Sequence, residues 1–86
     1  MKLYFENSYG ESRVIAEVKT LEEISQEIKK FIDNCNKNKP KEKQFKSYYT
    51  RVWSENGRTW YDVGSHSEYF WVDKELYNDY KGRDEN

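Results

Sequence analysis

The sequence is poor in the residues that small extracellular domains, metal sites and phosphate-binding loops require. It contains one cysteine, one histidine, one proline and four scattered glycines among 86 residues. Cys35 cannot form an internal disulfide, which favours a reducing compartment and a cytoplasmic protein. Cys35 and His66 alone cannot supply the ligand set of a structural zinc site, and no glycine-rich phosphate loop is present. We therefore expect no metal and no cofactor.

A strong excess of charge and a long hydrophobic run are missing as well. Fifteen basic and sixteen acidic residues give a formal net charge of −1, so no global field attracts the chain to nucleic acid or lipid. No apolar run approaches the roughly 20 residues that cross a bilayer. Glu6 places a charge in the opening segment before a signal-peptide core could form. We expect neither secretion by that route nor a membrane partner.

Aromatic residues are abundant, and they must replace the scarce aliphatic ones in the interior. Three tryptophans, eight tyrosines and four phenylalanines make up 17% of the chain. A chain of this length forms one domain and buries about two-thirds of the surface that its unfolded form exposes. We predict a single domain over residues 1–73 and a polar tail over 74–86. In the tail, Leu76, Tyr77 and Tyr80 indicate a short helix, followed by disorder from Gly82 onward.

Alternating hydrophobicity predicts a β-hairpin at the start of the chain. Residues Lys2–Glu6 alternate, with Leu3 and Phe5 on one face and Tyr4 on the other. A second alternation over residues 13–18 puts one aliphatic set on the inward side, namely Val14, Ala16 and Val18.

A helix follows the hairpin. Thr20 and Glu23 are spaced as a capping box, in which the Thr20 hydroxyl accepts from the Glu23 amide and the Glu23 carboxylate accepts from the Thr20 amide. Apolar residues then recur at steps of three and four and form one stripe that must lie on a sheet. These residues are Leu21, Ile24, Ile28, Phe31, Ile32 and Cys35. Pro40 cannot continue the pattern, so the predicted helix ends near Asn36.

The pair Asn56-Gly57 is the strongest turn signal in the second half of the chain. It lies between two runs rich in aromatic and β-branched residues, 45–53 and 58–63, and predicts a two-residue type I′ turn. That turn implies a register with Glu55 opposite Arg58, Trp53 opposite Trp60 and Arg51 opposite Asp62 on one face. The other face carries Val52, Tyr61, Val63, Thr50 and Tyr48. Because charged residues are seldom buried, the tryptophan face should meet solvent and the valine and tyrosine face should meet the helix.

A last strand over residues 68–72 is predicted to return along the previous strand, with Phe70 and Val72 on one side and Tyr69 and Trp71 on the other. The element order β-β-α-β-β-β describes an α+β fold, in which one helix packs on an antiparallel sheet.

Three segments carry a resemblance to a known group of proteins. Residues 1–10 read Met-Lys-Leu-Tyr-Phe-Glu-Asn-Ser-Tyr-Gly, residues 45–53 read Phe-Lys-Ser-Tyr-Tyr-Thr-Arg-Val-Trp, and residues 62–70 read Asp-Val-Gly-Ser-His-Ser-Glu-Tyr-Phe. The chain resembles a family of small uncharacterised proteins encoded by phages and prophages of Gram-positive bacteria. The resemblance covers most of residues 1–72 and brings no catalytic or ligand residues. It implies an accessory role, such as binding and blocking a host protein.

Catalytic constellations are weak in this sequence. His66 is the only imidazole, and its neighbours Ser65 and Ser67 point away from it in an extended chain, so they form no dyad. Asp62, His66 and Glu68 could gather round a hard cation, but a turn histidine is the simpler interpretation. Cys35 lies on the apolar helix stripe, where it is a core residue rather than a reactive thiol. We expect a protein that is not an enzyme.

Protein binding is the leading functional hypothesis. Tyrosine, tryptophan and arginine dominate interface energetics, and the predicted hairpin brings them together on its solvent side. The candidate protein-binding residues are Tyr49, Arg51, Trp53, Arg58, Trp60, Asp62, Tyr69 and Trp71. The partner is a host protein, and a homodimer formed through the final strand or another edge strand is also consistent. Alternatively, the tryptophan pair and its flanking ion pairs only stabilise the hairpin.

Nucleic-acid binding is the second hypothesis. The stretch 37–46 has the composition of a mobile surface loop and contains basic residues that could neutralise phosphates, while exposed tryptophans could stack bases. The candidate residues are Lys37, Lys39, Lys41, Lys43 and Lys46. Residues 47–86 carry a net negative charge, however, which would repel phosphate where stacking is needed.

Overall fold

The computed structural model describes residues 1–45, 51–63 and 68–78. These residues form five strands and one long helix. The elements are β1 (Lys2–Glu6), β2 (Ser12–Glu17), α1 (Leu21–Asn36), β3 (Arg51–Glu55), β4 (Arg58–Asp62) and β5 (Tyr69–Val72). One 3-10 turn, Lys41–Lys43, follows the helix. The predicted α+β class and element order are confirmed.

The five strands form one sheet in the order β2-β1-β5-β4-β3, and every neighbouring pair is antiparallel. The last strand returns along β4, as predicted, but it also pairs with β1 and so occupies the centre of the sheet. The pairing of β1 with β5 joins the first described strand to the last. The final strand is therefore not an edge, and the prediction that it could pair across a dimer axis is wrong; β2 and β3 are the edges.

Helix α1 begins and ends where the sequence predicts. The Thr20 hydroxyl accepts a hydrogen bond from the Glu23 amide at 3.1 Å. The Glu23 carboxylate accepts from the amide of Lys19 instead of Thr20, at 3.1 Å, so the box closes one residue earlier than predicted. On the apolar stripe Ile24, Ile28 and Ile32 are fully buried.

The core lies between α1 and one face of the sheet. Leu3 and Phe5 of β1, Tyr61 of β4 and Phe70 of β5 point toward the helix. Phe31 on α1 packs against two of these rings, with centroids 4.6 Å from Phe5 and 5.5 Å from Phe70. Aromatic rings therefore fill much of the interior, as the shortage of aliphatic residues requires.

A β-bulge in β2 overturns one prediction about the first hairpin. Leu3 pairs with Ala16, but the next residue, Tyr4, pairs with Val14, so Ile15 is the extra residue of the bulge. The shift puts Val14 on the face away from the helix, where it is 50% exposed. Val14 and Ala16 are therefore on opposite faces of the sheet, because the bulge breaks the simple alternation.

Residues 74–77 pack against the domain. Leu76 is 5% exposed and belongs to the core. The buried Thr59 hydroxyl donates to the Lys74 carbonyl and accepts from the Leu76 amide, both at 2.7 Å. The start of the predicted polar tail is thus part of the folded unit. The rest of that tail, residues 79–86, lies outside the described residues.

Candidate protein-interaction face

The β3–β4 hairpin has the predicted register. Trp53 pairs with Trp60, Arg51 with Asp62 and Glu55 with Arg58. Asn56 and Gly57 have φ angles of 54° and 77°, the left-handed values that a type I′ turn needs at both central positions. The predicted pair of Thr50 with Val63, and the residues Tyr48 and Tyr49, involve positions 46–50, which lie outside the described residues.

The sheet face opposite α1, which we call the open face, carries a continuous row of aromatic rings. Cross-strand pairing runs from Tyr4 on β1 to Trp71 on β5, then to Trp60 on β4 and Trp53 on β3. Ring centroids along this row are separated by 3.9, 5.9 and 6.4 Å. We call these four residues the aromatic row. Val14, opposite Tyr4, continues it onto β2.

Tyr69 packs beside the aromatic row. Its ring meets Trp53 and Trp60 edge to face, at centroid distances of 6.0 and 6.1 Å. This is a favourable geometry for aromatic quadrupoles. The indole nitrogen of Trp60 is buried and has no hydrogen-bond partner among the described residues.

Exposure differs along the aromatic row. Trp53, Trp60 and Tyr4 are partly buried, and Trp71 is only 6% exposed. Trp71 lies on the central strand, stacked on Tyr4, with its Nε1 donating to Ser12 Oγ at 3.2 Å. The prediction that Trp71 belongs to an exposed surface is therefore wrong, because neighbouring strands and side chains cover it on both sides.

Two arginines lie over the rings. The guanidinium of Arg58 is 3.9 Å from the centroid of Trp71 and 5.8 Å from that of Trp60. The guanidinium of Arg51 is 4.6 Å from the centroid of Trp53 and also pairs with Asp62 at 3.5 Å. Cation–π contacts of this kind fix the arginine heads above the sheet. The surface that solvent meets is thus a mixture of guanidinium groups and ring edges.

The structure brings most of the predicted protein-binding residues together on one face. Six of them share the open face with the covered Trp71, namely Arg51, Trp53, Arg58, Trp60, Asp62 and Tyr69. Sequence reasoning missed Tyr4 and Val14 as members of that face. The alternation of β1 did put Tyr4 opposite to Leu3 and Phe5, but only the pairing of β1 with β5 shows that it adjoins Trp71.

The lysine-rich stretch lies apart from the aromatic row. Phe45 packs against the helix side of the core, and its amide and carbonyl bond to the side chain of Asn36 at the end of α1. Gln44 donates to the carbonyls of Asn36 and Lys39, and the Lys39 ammonium lies 4.4 Å from the Phe45 ring centroid. The expectation of a surface loop that is not packed is wrong at Gln44 and Phe45, which attach the segment to the end of α1, while most of its other side chains are exposed. Lys37, Lys41 and Lys43 are exposed, and Lys46 lies outside the described residues.

No metal-binding cluster of three or more histidine, cysteine or acidic residues occurs within residues 1–45, 51–63 and 68–78. His66 lies outside that range, so the Asp62, His66 and Glu68 arrangement is not described. Cys35 is a free, partly buried thiol on α1. In the part of the chain that the structure describes, no helix combines the length and apolar character needed to span a membrane.

Comparison with protein-family models, with curated proteins and with solved structures finds no match for this chain.

Proposed function

We propose that this chain is a non-enzymatic accessory protein of the phage type that binds a host protein through its open face and thereby inhibits or modulates it. The class of target that we propose is a component of host defence, because a phage benefits when an accessory protein blocks such a component. The observation that supports binding is the aromatic row, which crosses four neighbouring strands and has an arginine over each end of its tryptophan segment.

The composition of this face favours a protein partner. Tryptophan, tyrosine and arginine are the residues on which interface energy concentrates. Here they are held by a sheet, and the arginine heads are held by the rings, so little side-chain entropy is lost on binding. Arg58 makes no ion pair within the described residues, which leaves its donors available to a carboxylate on the partner.

The first test is affinity capture from a lysate of a Gram-positive host, followed by calorimetry with the purified captured protein. Trp53 is the best residue to change because it lies on an edge strand and is only partly buried. We expect Trp53→Ala to weaken binding by about 30-fold, the equivalent of a loss of about 2 kcal/mol at an interface hot spot.

Tyr9 provides the matched control. It is an aromatic residue in the β1–β2 turn, 86% exposed and distant from β3, so Tyr9→Ala should bind like the wild type. Circular dichroism must show that both variants keep the wild-type fold. The proposal fails if folded Trp53→Ala binds with unchanged affinity, or if Tyr9→Ala weakens binding to the same extent.

A further inference from the structure

Strand β3 is an edge of the sheet, and its outer side has no partner strand among residues 1–45, 51–63 and 68–78. It pairs with β4 alone, in a register without a bulge, and it contains no proline. A residue that flanks a two-residue turn exchanges backbone hydrogen bonds with the residue opposite, so Glu55 and every second residue before it direct their backbone groups toward β4. Val52 and Ser54 therefore present their N–H and C=O groups on the outer side, where another strand could pair with them.

The sequence of β3 is complementary to its own reverse. The strand reads Arg-Val-Trp-Ser-Glu, with opposite charges at its two ends and a tryptophan at its centre. Arg51, Trp53 and Glu55 share the open face, because side chains two residues apart lie on the same side of a strand. When two such strands pair antiparallel and centred on Trp53, the Arg51 of each copy lies opposite the Glu55 of the other.

The same alignment satisfies the backbone. Val52 of one copy lies opposite Ser54 of the other, and each such pair exchanges both of its N–H···O hydrogen bonds. A shift of one residue would set outward backbone groups against inward ones. A shift of two residues would set Trp53 opposite a charged residue and would remove the pairing of Arg51 with Glu55.

We propose that a second copy of this chain pairs with edge strand β3, antiparallel and centred on Trp53, about a two-fold axis perpendicular to the sheet. The sheets of the two copies then form one continuous sheet, with both open faces on the same side. The two aromatic rows become one row, in which the Trp53 rings of the two copies are neighbours. The contact is isologous, so the ion pair of Arg51 with Glu55 occurs at both ends of the pairing.

Like charges stay apart in this arrangement. The two Arg51 residues are separated by four residue steps along the strands, or about 14 Å, which exceeds the screening length of about 8 Å at physiological ionic strength. The Arg51 guanidinium lies over its own Trp53 ring, but it is also 3.5 Å from Asp62 on β4, and that contact directs it away from the dimer axis. Glu55 makes no ion pair within the described ranges, so its carboxylate is available to Arg51 of the second copy.

The other edge strand, β2, lacks this complementarity. The bulge at Ile15 interrupts it, and bulges are a common means of preventing edge-to-edge pairing. The bulge also puts the opposite charges of β2 on different faces. Arg13 lies over the Phe31 ring of α1, whereas Glu17 pairs with Lys2 on the open face. A reversed copy of β2 therefore sets no arginine opposite a glutamate.

The pairing is short, so the dimer is concentration-dependent. Five residues of strand span about 17 Å, and a contact of that length buries less than the roughly 1,200 Å² of total area at the lower limit of stable interfaces. The dimer forms from the purified chain without a host protein, so its test is independent of the proposed function.

Exchange of the two charges tests the register. Sedimentation velocity of the purified protein, over a concentration series that reaches the millimolar range, should show a shift from 10.5 kDa toward twice that mass. We expect Arg51→Glu and Glu55→Arg, each measured alone, to dimerise about 10-fold more weakly, because each sets like charges opposite one another at both ends of the pairing. An equimolar mixture of the two variants should dimerise like the wild type, because each end then joins an arginine to a glutamate.

Disulfide trapping keeps the test decisive if a charge variant does not fold. In a Cys35→Ala background, Trp53→Cys places two thiols opposite each other on the axis, within the roughly 7 Å between Cα atoms that a disulfide permits, so oxidation should give a linked dimer. Glu55→Cys is the matched control, because its two copies are about 14 Å apart along the strands and cannot be bridged.

Circular dichroism checks the fold of every variant. The proposal is overturned if the wild type stays monomeric at millimolar concentration. It is equally overturned if the mixture of folded charge variants dimerises no better than either variant alone, or if Glu55→Cys is linked as readily as Trp53→Cys.

Discussion

Thr59 is the one buried polar residue of the described core. Its hydroxyl connects the segment after β5 to the β3–β4 hairpin. Thr59 Oγ1 donates to the Lys74 carbonyl and accepts from the Leu76 amide, and it lies 3.0 Å from Ser54 Oγ. Because its single proton goes to Lys74, Ser54 is the donor in that last bond. Ser54 in turn accepts from the Tyr77 amide at 3.0 Å. The hydroxyl groups of Thr59 and Ser54 thus bind the backbone of residues 74–77 to the β3–β4 hairpin.

Thr59→Val should be strongly destabilising although it keeps the shape of the side chain. It removes the partner of the Leu76 amide and of the Lys74 carbonyl, and a buried polar group without a partner costs about 1–3 kcal/mol. We expect the free energy of unfolding to fall by roughly 2–4 kcal/mol, measured by urea denaturation. Ser54→Ala is the control, with a loss near 1 kcal/mol because the Tyr77 amide is exposed. Equal losses for the two variants would contradict this account.

The helix depends at its start on one side-chain oxygen. Thr20 accepts from the Glu23 amide, while the Glu23 carboxylate satisfies the Lys19 amide just outside the helix. Thr20→Ala should lower the free energy of unfolding by about 1 kcal/mol, and Thr20→Ser should preserve it because serine supplies the same acceptor. Thermal melts followed by circular dichroism at 222 nm measure both variants. A melting temperature for Thr20→Ala equal to that of Thr20→Ser would show that the cap contributes nothing.

The elements that local chemistry determines were predictable, and the contacts between distant segments were not. The Asn56-Gly57 turn specified the register of β3 and β4 because only left-handed conformations at both positions close so short a loop. The bulge at Ile15 leaves no signal in hydrophobic alternation, so the face of Val14 was predicted wrongly. The pairing of β1 with β5 joins residues nearly seventy positions apart, and local periodicity carries no information about it.

The candidate site likewise combines features that a local pattern predicts with contacts between distant segments that it does not. The register that the Asn56-Gly57 turn implies puts Arg51, Trp53 and Trp60 on one face, and the structure has that register. The burial of Trp71 follows from the central place of β5, which a local pattern cannot reveal. The docking of Leu76 through Thr59 also escaped prediction, because polar residues surround Leu76 in the sequence.

At the scale of the whole molecule, the sheet separates two kinds of surface. Helix α1 and the segment 37–45 lie on one side, and the aromatic row with its arginines lies on the other. The exposed lysines of that segment therefore do not border the rings. On the open face, Glu6, Glu55 and Asp62 lie beside the rings, where a nucleic-acid ligand would place its phosphates.

This separation predicts weak or no binding of single-stranded nucleic acid. The rings that stack on bases and the lysines that neutralise phosphates must contact the same nucleic-acid strand, and here they lie on different sides of the sheet. The protein should cause no mobility shift of single-stranded DNA or RNA at low salt, where phosphate contacts are strongest. Replacing Lys37, Lys41 and Lys43 together with glutamate should leave that result unchanged. The same triple variant should still bind the host protein, whereas Trp53→Ala should weaken that binding about 30-fold. A shift that appears at low salt, weakens as salt rises and disappears in the triple-lysine variant would instead establish nucleic-acid binding. In that case the open face would not be the only functional surface, and the segment after α1 would have to act without the rings.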